Sequence, residues 1–356
     1  MFFYRLIPFL VWICYVFTQE DDNSDCICVP FYLCDNGTIN TNGLGIIDIR
    51  IKDKDCADYL ETCCEKKDVI PAPVTRAPTL AKKVECGYRN PDGVGFRISG
   101  DNDNEAQFGE FPWMIAVFRK GRNDPKHLYK CGGSLIHPRV VLTAAHCISG
   151  RDNKFKIRAG EWDSKTQKEM FKHEDREVSS IALHPQYDQR NLHNDVGLLF
   201  LNEPVTVGNH INVACLPPQD TIASGTGCFV TGWGKDHFEK DGKYQVILKK
   251  IELPVMNRGL CQNAFRGTRL GKFFILHRSF MCAGGEAGKD ACTGDGGGPL
   301  VCPIDGEEDR FQQVGIVAWG IGCGKEGVPG AYVDVAHFRN WIDKELKKKN
   351  LINDTP

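Results

Sequence analysis

Cysteine is the residue that most constrains this chain, because 17 of its 356 residues are cysteines. Cytosolic proteins rarely contain so many outside metal sites, whereas disulfide-bonded proteins of the extracellular space often do. An odd number leaves one cysteine outside any complete set of disulfides. The sequence therefore predicts a secreted, disulfide-bonded protein in which one cysteine stands apart from the others.

The amino terminus accounts for the odd cysteine. Arg5 precedes an apolar run from Leu6 to Phe17, which is shorter than the roughly 20 residues that span a bilayer as a helix. The pattern predicts a secretory signal peptide over residues 1–19, and its removal takes Cys14 away and leaves sixteen cysteines. A buried core helix is the alternative. No later stretch reaches 18 consecutive apolar residues, so we expect no membrane partner.

The sixteen remaining cysteines form two groups with a linker between them. Six lie within residues 26–64, and ten are spread from Cys86 to Cys323. The stretch between the groups contains three prolines and few large apolar residues, which is typical of an extended, protease-accessible linker. We therefore predict a small module over residues 25–66, a linker and activation segment over residues 67–97, and a large domain over residues 98–349.

The small module is too short to be stabilised by its core alone, so three disulfides are expected. Spacing does not choose among the fifteen possible pairings of six cysteines. A zinc site is the alternative, although the module lacks histidine and its adjacent Cys63 and Cys64 fit zinc spacing poorly. The β-branched stretch Ile46–Ile51 predicts a strand. Asn36, and Asn353 in the tail, begin glycosylation sequons, used or unused.

The large domain reads as all-β. Its short, apolar, β-branched segments, such as residues 113–118 and 228–232, alternate with turns and predict an antiparallel barrel or sandwich. Only residues 338–349 have the periodicity of an amphipathic helix. The formal charge of −2, from 44 basic and 46 acidic residues, gives no general attraction to nucleic acid or to anionic membranes.

Three motifs of the large domain resemble those of a known protein family. TAAHC at residues 143–147, NDVGLL at 194–199 and CTGDGGGP at 292–299 occur in the order seen in the trypsin/chymotrypsin family of serine proteases. The resemblance covers about residues 98–346 and implies two six-stranded antiparallel β-barrels with the active site between them. It also implies that His146 is the base and Asp195 the carboxylate that orients it.

The family's nucleophile is missing, because the position of its serine is Gly296. Glycine has no side chain, so His146 has no hydroxyl to activate for covalent catalysis. Ala318 stands where the family usually has a second serine that binds the catalytic aspartate. We therefore predict a protein that is not an enzyme. His146 and Asp195 are then either remnants of a site or ordinary packing residues.

The resemblance also implies a substrate pocket. Asp290 matches the position that pairs with an arginine or lysine side chain, and the backbone amides of Gly294 and Gly296 match the oxyanion donors. We hypothesise that the cleft holds a basic peptide without cutting it. The alternative is an occluded pocket. The residues matching its walls are Trp319, Gly320 and Gly330.

The two parts together resemble the clip-domain proteins of arthropods, and Gly296 places the chain with their non-catalytic serine protease homologues. The resemblance implies a haemolymph protein that is cut by an upstream clip-domain protease, forms homo-oligomers and supports prophenoloxidase activation in melanisation. A pattern-recognition or adhesion protein for microbial surfaces is the second hypothesis, and an active protease is the third. Six apolar residues of the module are either partner contacts or its own core: Phe31, Tyr32, Leu33, Ile47, Ile49 and Ile51.

The same resemblance implies how the chain is cut and cross-linked. Arg97–Ile98 resembles the activation site, after which the new amine of Ile98 is buried against Asp295, and Arg76 in the linker is the alternative. No cofactor is expected. Glu161 stands where some family members begin a calcium loop, but Lys165 and Lys168 argue against calcium. The implied disulfides are Cys26–Cys63, Cys28–Cys56, Cys34–Cys64, Cys86–Cys215, Cys131–Cys147, Cys228–Cys302, Cys261–Cys282 and Cys292–Cys323.

Overall fold

A computed structural model describes most of the large domain and parts of the small module. The signal peptide, both sequons and Arg76 lie outside the described residues, and no described helix is long and apolar enough to cross a bilayer. The described residues are 26–30, 33–34, 45–47, 56, 60–69, 85–98, 104–120, 127–150, 154–166, 169–223, 225–235, 242–292, 294–307 and 309–351.

The described elements are mainly strands, as predicted. Three α-helices accompany them, α1 (Ala145–Ile148), α2 (Arg258–Arg266) and α3 (Val335–Lys348), together with a short 3₁₀-helix at Lys66–Asp68. The strands are β1 (Cys26–Pro30), β2 (Gly45–Ile47), β3 (Glu61–Glu65), β4 (Phe96–Ile98), β5 (Met114–Lys120), β6 (His127–His137), β7 (Val140–Thr143), β8 (Phe155–Ala159), β9 (Glu174–Leu183), β10 (Gly197–Leu201), β11 (Cys228–Gly232), β12 (Lys249–Leu253), β13 (Val255–Met256), β14 (Phe280–Ala283), β15 (Pro299–Pro303), β16 (Phe311–Trp319) and β17 (Gly330–Asp334).

The first sheet of the large domain is a closed six-stranded barrel in the order β10-β7-β6-β5-β8-β9. Strand β10 is buried along its whole length, which explains its continuous apolar sequence. Strands β7 and β10 are antiparallel neighbours, with Thr143 opposite Gly197. The end of β7 and the start of β10 therefore lie side by side, which brings together the two loops that follow and precede them.

The second sheet has seven strands in the order β12-β11-β15-β16-β17-β14-β13, one more than predicted. The difference arises at Pro254, which alone separates β12 from β13 at the two edges of the sheet. Proline has no N–H and cannot continue a hydrogen-bonded ladder. If the two segments are counted as one bent strand, the sheet is the predicted six-stranded barrel, so the all-β double-barrel architecture is confirmed.

Helix α3 begins three residues before the predicted start at Phe338. The carboxylate of Asp334 caps it by accepting the backbone N–H of His337, and the helix buries Phe338, Ile342 and Leu346. Helix α2 was not predicted. Its nine residues are too few for a clear apolar period, and a cap from Asn257, which accepts the N–H of Gly259 at 2.8 Å, begins it.

The small module pairs β1 with β3 in antiparallel register, with Cys28 opposite Cys63. Leu60 is 1% exposed and belongs to the same cluster of buried hydrophobic residues as Phe108 and Trp113, so the module packs against the large domain. The structure joins sixteen cysteines in the pairs Cys26–Cys63, Cys28–Cys56, Cys34–Cys64, Cys86–Cys215, Cys131–Cys147, Cys228–Cys302, Cys261–Cys282 and Cys292–Cys323.

Candidate functional site

The ends of β7 and β10 place a histidine against a buried carboxylate. His146 lies in α1, directly after β7, and Asp195 lies two residues before β10. The Nδ1 of His146 is 2.6 Å from Oδ2 of Asp195, and the backbone N–H of His146 donates to Oδ1 at 2.7 Å. Asp195 is completely buried, whereas the imidazole is partly exposed. Such a pair holds the ring in one orientation, with Nε2 facing the cleft.

Gly296 lies where Nε2 of His146 points. A Cβ built on this glycine would lie 3.0 Å from Nε2, so the side chain of a serine here would stand next to the ring. The sulfur of Cys147, 3.5 Å from the same nitrogen, belongs to a disulfide and has no proton to give. The base therefore faces a position without a hydroxyl. Ala318, which lines the same cleft, also has none.

A cavity of about 230 Å³ runs from His146 and Gly296 to Asp290. Gly324 donates a backbone N–H to Asp290 at 3.3 Å, and burial raises the pKa of this carboxyl to about 6. Asp290 is therefore mostly ionised at neutral pH. A Cβ on Gly330 would lie 3.0 Å from Asp290 Oδ1, so glycine keeps the pocket open there. Gly294, Trp319, Gly320 and Gly330, which were predicted to form this site, all line the cavity.

The mouth of the cavity is shaped by the loop before Gly296. Gly294 has a φ of +106°, a conformation that favours glycine, and its carbonyl accepts the hydroxyl of Tyr129 at 3.1 Å. A side chain at Gly294 would collide with the ring of Tyr244. The structure therefore places both glycines predicted as oxyanion donors beside the cleft, where they line it with backbone.

Asp295 lies behind this loop and is buried. Gly234 and Cys292 donate backbone N–H groups to its two oxygens at 2.8 and 2.9 Å, and burial raises its pKa to about 6. A Cβ on Gly232 or Gly234 would lie 2.1 or 2.5 Å from Oδ1 of Asp295. The carboxylate therefore explains both glycines of the Gly-Trp-Gly motif.

A second cavity, of about 530 Å³, is lined by Asp295, Asp290 and Asn104 among others. Asn104 is six residues from Ile98, and a chain of six residues spans up to about 20 Å. An amine formed at Ile98 therefore stays within about 20 Å of Asn104, which lines this cavity. In the uncut chain, Ile98 lies in strand β4 instead.

The loop after β8 contains the residues that the calcium expectation concerns. Glu161, Asp163 and Glu169 are buried, and the guanidinium of Arg158 donates to Glu161 at 2.9 Å. Burial, with the charges of Glu161 and Asp163, raises the pKa of Glu169 to about 8. Arg158 thus supplies positive charge beside Glu161. The expectation that no calcium is bound here stays a prediction, and the acidic loop carries no step of any mechanism.

One further group of metal-ligating residue types occurs in the described part of the chain. There, the only three or more His, Cys, Asp or Glu side chains with ligand atoms within 4.8 Å of one another are Cys131, His146 and Cys147. Both cysteines are in a disulfide, so this group offers a single imidazole.

Two anchors near the cleavage segment were not anticipated from the sequence. Arg89 donates to Glu110 at 2.6 Å and lies 4.3 Å from the centre of the Phe229 ring. Lys250 also contacts Glu110, at 2.9 Å, and this carboxylate is completely buried. These contacts join residues that are far apart in the sequence, so no local sequence pattern predicts them. The second anchor is Leu60, described above.

Comparisons with known proteins agree with this geometry. Residues 101–342 match the family described as Trypsin, and residues 15–65 match the one described as Serine protease Clip domain PPAF-2. The chain is 51% identical over 289 residues to Phenoloxidase-activating factor 2 of Galleria mellonella, with 78% of this chain and 95% of that protein covered.

Two further relatives extend the comparison. The chain is 38% identical over 340 residues to Inactive CLIP domain-containing serine protease A8 of Anopheles gambiae, with 92% of this chain and 91% of that protein covered. It is 36% identical over 253 residues to Tryptase of Mus musculus, with coverage of 68% and 87%.

Proposed function

Because the chain belongs to the trypsin family and joins a trypsin-like domain to a clip domain, we propose that it is a secreted, non-catalytic homologue that supports prophenoloxidase activation once it has been cut. Its relatives include proteins named as phenoloxidase-activating factors and as inactive clip-domain proteases. The proposed setting is the haemolymph, in the melanisation response. The disulfides of both domains suit such an oxidising environment.

The proposal that the chain is non-catalytic rests on one observation, the empty space between His146 Nε2 and Gly296. Proton abstraction requires a hydroxyl within hydrogen-bond reach of the base, and none stands there. Loss of the nucleophile alone costs about 10⁶-fold in kcat in a related catalytic arrangement. The chain therefore keeps the shape of a protease while lacking the group that forms the acyl-enzyme.

The proposed switch is a cut after Arg97 by an upstream clip-domain protease. The new amine of Ile98 then enters the cavity at Asp295, where it neutralises a buried carboxylate. Cys86 and Cys215 keep the two pieces joined. We expect the processed protein to assemble with itself and with prophenoloxidase, while the Asp290 pocket holds a basic side chain of a partner.

Reconstitution tests this function. Purified chain, the upstream protease and prophenoloxidase are mixed, and phenoloxidase activity is compared with and without the chain. An Arg97→Gln variant is the matched control, because it keeps the fold and lacks the cleavable bond. We expect activity with the wild type and little with the variant. Equal activity in the presence and absence of the chain would remove the proposed function.

Processing and catalysis are separated by two further measurements. Amino-terminal sequencing of the cut chain distinguishes Ile98 from Ala77, the residue after Arg76, as the new terminus. A fluorophosphonate probe, which reacts with activated serines, should leave the cut wild type unlabelled. Labelling would show an active protease.

A further inference from the structure

Strand β2 of the clip domain pairs with strand β4, which contains the Arg97–Ile98 bond. The pairing is parallel, with Gly45 opposite Phe96, Ile46 opposite Arg97 and Ile47 opposite Ile98. The bond proposed to be cut therefore lies inside a two-stranded sheet whose other strand comes from a different domain. This contact is made by the backbone.

The segment just before β4 is held in place. Val94, just before β4, donates its backbone N–H to Phe108 at 2.8 Å and is buried. Gly95 then turns the chain with a φ of +84°, and its backbone runs so close to Met170 that a Cβ would lie 2.5 Å from the sulfur. Leu60 of the clip domain is buried in the same hydrophobic cluster as Val94. One residue of the clip domain and the residue two positions before β4 therefore belong to the same buried cluster.

A protease of this fold needs its substrate in extended form, with the backbone groups beside the scissile bond free to bind the edge of the protease. In the uncut chain, one edge of β4 is occupied by β2. Bonds inside hydrogen-bonded structure are cut only after local opening. A sheet of two short strands is only weakly stable by itself, so β2 can separate from β4 at a low cost in free energy.

We propose that the clip domain shields the activation site of the chain, so that β2 must separate from β4 before Arg97–Ile98 can be cut. This inference rests on the proposed function for the meaning of the cut, but its mechanism concerns only the rate of cutting. A partner that binds the clip domain and displaces β2 thereby makes the chain a better substrate. Partner binding and processing are then coupled through one strand.

Proline scanning of β2 tests the shield. Successive N–H groups of a strand point to opposite edges, so either Ile46→Pro or Ile47→Pro removes a donor that faces β4. Ile46→Ala and Ile47→Ala are the matched controls, because they shorten the same side chains and keep the backbone donors. Limiting trypsin is added, and the fragment that begins at Ile98 is quantified by mass spectrometry. The cut after Arg76 in the same digest reports the protease dose.

We expect one of the two proline variants to be cut at Arg97–Ile98 about fivefold faster or more, since one lost hydrogen bond weakens the pairing by that order. The alanine controls should stay near the wild type. Hydrogen exchange at residues 96–98 gives a second readout, with protection in the wild type and loss in the faster variant. Unprotected amides in the wild type, or proline variants cut at the wild-type rate, would overturn the shield.

The result is independent of the reconstitution. The reconstitution starts from uncut chain and the upstream protease, and the product is checked for the new terminus at Ile98. Correctly cut chain that fails to support phenoloxidase activity removes the proposed function and leaves the shield standing. Unchanged cutting rates remove the shield and leave the function standing.

Discussion

Restoring a hydroxyl at position 296 is the most direct test of the proposal that the chain lacks catalysis because it lacks this hydroxyl. A Cβ at this position lies 3.0 Å from His146 Nε2, a few tenths of an ångström closer than is usual, so the ring must move back slightly. The hydroxyl of Gly296→Ser then lies within hydrogen-bond reach of the base. The His146–Asp195 contact of 2.6 Å and the cavity leading to Asp290 are already present.

The expected gain follows from what a nucleophile contributes. Loss of the serine alone costs about 10⁶-fold in kcat, while binding and oxyanion donors alone retain roughly 10³–10⁴-fold over water. Ala318 leaves Asp195 without the family's serine hydroxyl, so we expect only part of this factor to return. We predict that Gly296→Ser raises hydrolysis of an arginine amide substrate by at least about 10³-fold after the cut at Arg97.

The assay measures fluorophosphonate labelling and amide hydrolysis on protein whose new amino terminus has been verified as Ile98. Gly296→Ala is the matched control, because it adds the same Cβ without the hydroxyl, and Gly296→Ser/His146→Ala removes the base. We expect both controls to remain unlabelled. If correctly cut Gly296→Ser is neither labelled nor active, the missing hydroxyl is not what separates this chain from a protease.

Three further predictions concern charge. The folded-state pKa of Glu169, about 8, is above its ordinary value of 4.5, so its contribution to stability is full below pH 4.5 and lost as the pH rises to 8. Glu169→Gln should therefore lose less unfolding free energy than the wild type between pH 5 and 8, by up to a few kcal/mol in urea titrations. Glu110→Gln leaves the cations Arg89 and Lys250 around a buried site without their carboxylate, so we expect it to lower the free energy of unfolding by about 3 kcal/mol. The more exposed Glu105→Gln should lower it by under about 1 kcal/mol. Benzamidine should bind the cut wild type in calorimetry, and Asp290→Asn should abolish the binding.

Much of the large domain follows from its motifs. TAAHC and NDVGLL mark the ends of two neighbouring strands, so His146 and Asp195 meet because β7 and β10 are paired. The Gly-Trp-Gly motif is likewise local, since its glycines make room for one carboxylate, that of Asp295. Each of these features depends on a local backbone arrangement that tolerates few residue types. They can therefore be recognised in the sequence as short motifs.

Other features depend on contacts between distant parts of the chain. The burial of Leu60, and the pairing of β2 with β4, require the relative placement of two domains, which no periodicity encodes. The split of the second sheet depends on Pro254. The sequence shows this proline, but it does not show that the proline falls between two strand segments. The pKa of Glu169 is raised first by burial and then by two acidic neighbours, and both causes arise only on folding.

The clamp of Arg89, Lys250 and Glu110 adds ion pairs to the Cys86–Cys215 disulfide in joining the segment before Arg97 to the large domain. The proposed cut after Arg97 would therefore leave the amino-terminal piece attached. Residues 70–84 then connect the clip domain to this clamp, and fifteen residues reach at most about 50 Å. The clip domain packs against the large domain around Leu60, so the two domains would present two contact surfaces to one partner assembly and act as a bivalent ligand. Two weak contacts on one assembly can thus give lasting attachment.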